Sequence, residues 1–271
     1  MGRDSAPALA WAGFLISMLE GVIALQRGFP VTAPGRPPVL APGPGVLSLL
    51  AYLVAFWFAV RIPGDHPEGS AMRRAWRLIV WSCAMGMIRY VMELAAPAPL
   101  VGLRQAPNVL HLGLLLAGLV VTWSAFRELR MGVRLTAAHW AAVGAILVLA
   151  GLAFSMSGQL PDSGSVFPAI RFLQLLATLL IFAGALLGVV LHRISQEIGG
   201  GELAGSMRAI VAFLLLRPVI FVVRFSLASG NPGAAVILLS VANASVWLLT
   251  LGVIYRWRLT ERAAEMAERY V

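Results

Sequence analysis

The chain has 271 residues, of which 59% are hydrophobic and only 12% charged, with a mean hydropathy of +0.85. A soluble domain is about a quarter charged, so these values exclude an ordinary water-soluble domain and make lipid the solvent for most of the chain. The formal charge of +9 would suggest nucleic acid in a soluble protein. Here the arginines stand in short loops beside apolar runs, where they set orientation and meet anionic headgroups, so the expected partners are the bilayer and its headgroups, with no nucleic acid. The chain has no lysine, which excludes a lysine Schiff base. A lone Cys83 inside an apolar run leaves no disulfide framework and no cysteine metal site.

The first apolar run, 8–25, is broken only by Glu20. Its length, its carboxylate and the absence of a small-x-small cleavage site favour a membrane span over a secretory signal. The segment 26–45 holds Pro30, Pro34, Pro37, Pro38, Pro42 and Pro44 and reads as an extended, polyproline-like surface strap. Spans are then predicted over 46–60, 75–94, 108–126, 136–156, 167–191, 208–228 and 234–255, each bounded by charged, proline or glycine turns. The expected fold is therefore all-α, a polytopic transmembrane bundle of eight spans, or seven if the first does not cross. A cytoplasmic amphipathic helix over 256–271 follows the bundle. Small residues in the fifth and sixth spans suggest close helix packing, and Gly199-Gly200-Gly201 reads as a flexible turn without the features of a phosphate loop.

Arginines in alternate loops divide fourteen to three. The richer side, with Arg3, Arg61 to Arg77, Arg127 to Arg134, Arg193, Arg208 and Arg256 onward, is expected to face the cytoplasm, together with both termini. The predicted location is a bacterial inner membrane. With that orientation, Glu20, Arg89, Glu93, His111, Arg171, Gln174 and Arg224 all fall toward the outer leaflet. A charge in hydrocarbon costs at least about 2.5 to 3.5 kcal/mol, so these groups should face the bundle interior, pair or snorkel.

Arg217 and Arg224 are seven residues apart, about two turns, and share one face. Pro218 invites a kink beside Arg217 and frees the Leu214 carbonyl, which together with Asn243 is a candidate partner for that guanidinium. Arg89 and Glu93 can pair within one helix, leaving Glu20 for Arg224 or Arg171. The candidate ligand-binding cavity thus comprises Glu20, Arg89, Glu93, His111, Arg171, Gln174, Arg217, Arg224 and Asn243. Its arginine surplus would suit an anionic or carboxylate-bearing ligand or a lipid headgroup, and the competing reading is that the same groups only tie helices together.

His139 and His192 fall near the cytoplasmic face on neighbouring antiparallel spans and could ligate a b-type haem axially. The second histidine pair usual in such sites is missing, so no cofactor is predicted, with haem b or a pigment as the alternative and no metal site. No HExxH, GxSxG or carboxylate pair at metal spacing occurs, which leaves catalysis unsupported.

After the last span, Leu259, Ala263, Met266 and Tyr270 recur at four-three-four spacing between Arg and Glu residues, a short stripe able to pair with another helix. A bundle of seven or eight spans running into such a helix resembles the membrane input regions of bacterial sensor histidine kinases and related signalling proteins. The run Arg73 to Leu94, RRAWRLIVWSCAMGMIRYVMEL, is similar to the second span of one such region. The resemblance implies a receptor-like module that signals through the C-terminal helix to a separate membrane or cytoplasmic partner. The alternatives are an accessory or scaffold subunit of a larger energy-transducing or pigment-bearing complex and, third, a small-molecule transporter.

Overall fold

The computed structural model describes residues 5–26, 42–95, 103, 105–128, 134–155, 168–228 and 232–269, and of Arg224 only the backbone. Among the described residues the chain is helical with no strand. Its helices are α1 (Ala6–Gln26), α2 (Pro42–Ala59), α3 (Ala71–Ala95), α4 (Gln105–Glu128), α5 (Ala137–Ser155), α6 (Pro168–Ile198), α7 (Glu202–Ala228) and α8 (Pro232–Arg269), with a 3₁₀ turn at Ile62–Asp65. By length and composition α1 to α7 can each cross a membrane, and the apolar run 234–255 makes α8 an eighth candidate. The polytopic all-α bundle expected from composition is thus the observed architecture.

Local chemistry sets several helix starts. Proline opens α2, α6 and α8 at the first helical position, where its missing N–H has no partner to lose. Pro42 and Pro44 therefore belong to α2 and not to an extended strap, and residues 27–41 of that segment lie outside the described residues. Ser70 caps α3, its Oγ accepting from the Arg73 N–H at 3.2 Å. Between α6 and α7 the chain reverses through Gly199 and Gly201, at φ +80° and +91°, conformations that glycine adopts without a Cβ penalty.

Helices α3, α6 and α7 extend beyond their apolar cores by several residues: α3 starts at Ala71, α6 runs on to Ile198 and α7 starts at Glu202. Hydropathy finds only the portion matched to hydrocarbon, whereas the backbone hydrogen bonds carry the helix on into the polar interface. Helix α7 passes through Pro218 and α8 continues without a break to Arg269.

Six helices close a ring by pairwise packing in the order α2, α3, α4, α6, α7, α8 and back to α2. Outside it, α1 packs on α8 and α2, and α5 on α6 and α7. One end of the bundle gathers arginines from successive loops. Arg256 meets His66, Arg193 Nε donates to the Arg134 carbonyl at 3.1 Å, and Glu202 receives Arg258 and Arg262 at 3.1 and 3.2 Å. We refer to this as the arginine-rich end.

Close approach within the ring depends on glycine. A Cβ on Gly118 would stand 2.9 Å from the Ala75 carbonyl oxygen of α3, and one on Gly252 would stand 3.0 Å from the Ser206 carbonyl and 2.6 Å from Ile210 Cγ1 of α7. By contrast, a Cβ on Gly144 or Gly151 of the peripheral α5 would meet nothing within 4 Å. Replacing Gly118 or Gly252 by Ala is predicted to destabilise the bundle by about 1–3 kcal/mol through overpacking, while Gly144→Ala and Gly151→Ala leave stability unchanged. Thermal unfolding of the four variants in one detergent checks this, and equal midpoints would contradict the assigned packing.

Candidate functional site

The ring encloses a polar network in the half remote from the arginine-rich end. Its centre is His111 of α4, fully buried between α2 and α3. Nε2 lies 2.8 Å from the Tyr52 hydroxyl of α2, and Nδ1 lies 2.9 Å from the Ser82 carbonyl and 2.8 Å from the Ser82 hydroxyl of α3. Ser82 Oγ in turn donates to the His111 carbonyl at 3.0 Å. A carbonyl only accepts, so Nδ1 carries the proton facing Ser82, and the neutral ring then accepts from Tyr52 through Nε2. This tautomer satisfies all of these groups at once, a requirement where lipid offers no partner.

A second arm passes through Tyr90 of α3, whose hydroxyl donates to Asn243 Oδ1 of α8 at 3.0 Å. The rings of Tyr90 and Tyr52 are adjacent, with centroids 5.8 Å apart. Tyr52 is seated by Gly86, since a Cβ there would fall 2.5 Å from its ring. Arg89 donates to Asn108 Oδ1 of α4 at 3.0 Å and lies over the Tyr90 ring, within electrostatic reach of Glu93.

Arg217 of α7 places its guanidinium 4.6 Å from the Phe213 ring centroid, a cation–π contact within its own helix. Its Nε and Nη2 are buried without hydrogen-bond partners, and Asn243 Nδ2 is likewise unpartnered. Both Arg89 and Arg217 act electrostatically on Tyr52 and His111. A small cavity of about 10 Å³ adjoins Arg217 beside Leu112, Leu180 and Phe213, close to the least volume a single water requires.

Of the residues singled out from sequence, Arg89, Glu93, His111, Arg217 and Asn243 therefore converge inside the ring. Glu20 does not join them, because α1 packs on α8 and α2 and has little or no packing with α6 or α7. One of its carboxylate oxygens is buried without a partner. Arg171 is exposed on α6, Gln174 is buried one turn further along, and the Arg224 side chain lies outside the described residues. Neither Asn243 nor the Leu214 carbonyl is seen to satisfy Arg217. Its observed contact is Phe213, while the Asn243 Oδ1 is taken by Tyr90.

Tyr52, Ser82, Tyr90 and Asn108 were not anticipated. The signal for two of them was present: Tyr52 and Tyr90 lie well inside apolar runs, and a buried phenol needs a hydrogen-bond partner.

His139 and His192 do meet, their ring centroids 5.8 Å apart. His139 Nδ1 is held by Thr136 Oγ at 2.6 Å, and His192 Nε2 contacts the Gln196 amide at 3.1 Å. Haem ligation through Nε2 would require His192 to give up Gln196. No group of three His, Cys, Asp or Glu side chains suited to a metal occurs among the described residues.

At the arginine-rich end, Arg256 can only donate, so His66 Nε2 accepts its Nη2 at 3.2 Å and the imidazole is neutral. Burial first, then the Arg256 charge, holds His66 below the ordinary imidazole range, with Asp65 opposing. Burial also holds Arg256 below the usual arginine range, against the pull of Asp65.

The chain matches no family model, no curated protein and no solved structure.

Two outcomes follow from the site chemistry. Tyr52→Phe strands His111 Nε2 in an apolar interior and should cost about 1–3 kcal/mol, with a coupling to His111→Leu of at least about 0.5 kcal/mol in a double-mutant cycle. Additive losses would show that the two residues do not share a bond. For His66 the folded pKa lies below the unfolded one, so the unfolded chain binds more protons between them and stability falls as pH drops through the ordinary histidine range. A thermal midpoint measured from pH about 7 to about 5 should decline in the wild type and less steeply in His66→Gln, and identical slopes would remove the assignment.

Proposed function

We propose that this chain is a receptor-like sensory module of a membrane, with its arginine-rich end toward the cytoplasm. It binds a small polar or lipidic anion at the Arg89–His111–Arg217–Asn243 network and signals through α8 to a separate partner. The observation that carries this reading is the continuity of α8. One uninterrupted helix, Pro232–Arg269, touches the network through Asn243 and ends beyond α7 with Glu261, Arg262, Ala263 and Met266 exposed.

A helix is stiff on this scale, so a ligand that draws Asn243 away from Tyr90 shifts or rotates the far end with it. Around residue 258 the rod is braced on α7 by Glu202, whose carboxylate receives Arg258 and Arg262. The binding chemistry rests on the two guanidiniums, which favour a carboxylate or phosphate oxygen. Arg217 Nε and Nη2, together with Asn243 Nδ2, are donors still to be satisfied.

A second reading, a non-catalytic accessory subunit of a larger membrane complex, is favoured by Trp57, Trp81 and Trp140, each with 60% or more of its surface exposed. Aromatic residues of this kind suit lipid interfaces and subunit contacts alike.

The test is a thermal-shift screen of small carboxylates and phosphates on the purified full chain. A stabilising compound should lose its effect in Arg217→Gln and keep it in Arg171→Gln, whose parent side chain lies on the exposed face of α6. Equal retention in both variants would remove the network as the site. Mass spectrometry of the gently extracted protein showing stoichiometric foreign subunits would select the accessory reading.

A further inference from the structure

The other half of the ring interior is different in character. Between α3, α4, α6 and α7, on the side of the arginine-rich end, lies a cavity of about 30 Å³ that reaches Arg256 of α8. Its walls are apolar, formed chiefly by Trp76, Ile79, Leu119, Phe126, Met207 and Ile210. Two hydroxyls also line it, and both are satisfied within the protein. Thr122 Oγ donates to the Gly118 carbonyl at 2.9 Å, and Ser206 Oγ donates to the Gly252 carbonyl at 2.7 Å.

Shape and polarity together narrow the occupant. The lining of α7 runs from Leu203 to Ile210 and that of α3 from Met72 to Ile79, seven residue steps each, or about 10 Å of helix. A volume of about 30 Å³ stretched over that depth is a slender slot. It holds more than the about 10–15 Å³ that one water needs, and away from the Arg256 edge its lining is apolar apart from two hydroxyls whose protons are already bonded. A ring or a folded ligand would be too wide, whereas an extended alkyl chain is slender and apolar throughout.

At the slot's one polar edge, Arg256 is committed to His66 only through Nη2, and its Nε is buried without a partner. A guanidinium with a free Nε presents the edge that a carboxylate engages.

We propose that this slot binds a single-chain fatty carboxylate, with the alkyl tail running from Trp76 toward Ile79 and Ile210 and the carboxylate on Arg256. The site is separate from the polar network and does not depend on the sensory reading. A two-chain phospholipid fits less well, because its second chain would have to leave a slot that the ring encloses. Occupancy buries the tail against the ring walls and sets a carboxylate directly on Arg256, whose hydrogen-bond partner is the neutral His66 and whose nearby opposing charge is Asp65.

Trp76 supplies the readout, since a bromine atom in contact with an indole quenches its fluorescence. The full chain in detergent is titrated with decanoate brominated at its terminal carbon, and the Trp76 contribution is taken as the difference between wild type and Trp76→Phe. Saturable quenching of Trp76 is expected, with the midpoint raised about tenfold in Arg256→Gln and no saturable quenching by the matching bromo-alcohol. Ile210→Trp, which fills the deep part of the slot and keeps Arg256, should abolish the effect independently.

Quenching that rises linearly with probe, or that is indifferent to Arg256→Gln and Ile210→Trp, is partition into the micelle and overturns the proposal. Tighter saturable quenching by a chain-brominated phosphatidylglycerol than by the decanoate makes the occupant a leaflet phospholipid and overturns it as well.

Discussion

The constraint on which this structure depends is that lipid supplies no hydrogen bonds, so a polar side chain taken into the bundle gains most from a partner on another helix or on its own backbone. Helix α8 answers this demand with bonds to four other helices. Trp247 Nε1 donates to Ser17 Oγ of α1 at 3.1 Å, and Thr250 Oγ donates to the Ala51 carbonyl of α2 at 3.0 Å. Asn243 accepts from Tyr90 of α3, and the Gly252 carbonyl accepts from Ser206 of α7. Each bond alone contributes modestly, about 0.6 kcal/mol on average in comparable membrane interiors. Their collective effect is geometric, since four helices are registered against one and the ring closes where α8 meets α2.

These bonds form only where backbones come close, and glycine decides where that happens. Gly13 admits the Trp247 indole and Gly252 admits α7, so the residues with no side chain sit beside the ones that bond across the interface. In lipid there is no hydrophobic drive to bring helices together, and dispersion between closely fitted surfaces replaces it. Peripheral α5 shows the opposite case. Gly144 and Gly151 meet nothing, and the helix keeps most of its surface exposed. Small residues in a span thus record the possibility of close packing, which is realised at some glycines and left unused at others.

Much of the fold was legible in the sequence because hydrocarbon thickness imposes a length that runs of apolar residues cannot hide. Helix ends were less legible, since α3, α6 and α7 continue into polar residues that hydropathy assigns to loops. The meeting of Arg89 and His111 could be anticipated from depth, because residues at one level of a bundle tend to meet. Depth does not give azimuth or neighbour order. Glu20 and Arg171 were expected in the same leaflet as the network, yet α1 packs on α8 and α2 while Arg171 is exposed on α6. Tyr52 and Tyr90 were overlooked because a tyrosine in an apolar run reads as hydrophobic mass. Their hydroxyls make inter-helix bonds as the charged Arg89 does, tying α2 to α4 and α3 to α8.

The two halves of the ring solve the same physical problem in opposite ways. Toward one end, polar side chains are admitted and paired, and the interior fills with bonds between Tyr52, Ser82, His111, Tyr90 and Asn243. Toward the other, the wall hydroxyls are turned back onto helix carbonyls and the interior is left apolar, with the arginines concentrated at the rim. The paired Tyr52–His111–Ser82 core resists rearrangement because any slip strands a polar atom away from water, whereas an apolar wall can give without that penalty. Helix α8 passes through both regions, held by direction-specific bonds in the first and by packing and the Glu202 brace in the second. In the first region the Tyr90–Asn243 bond ties α8 to α3, and the interior there still holds the unpaired donors of Arg217 and Asn243.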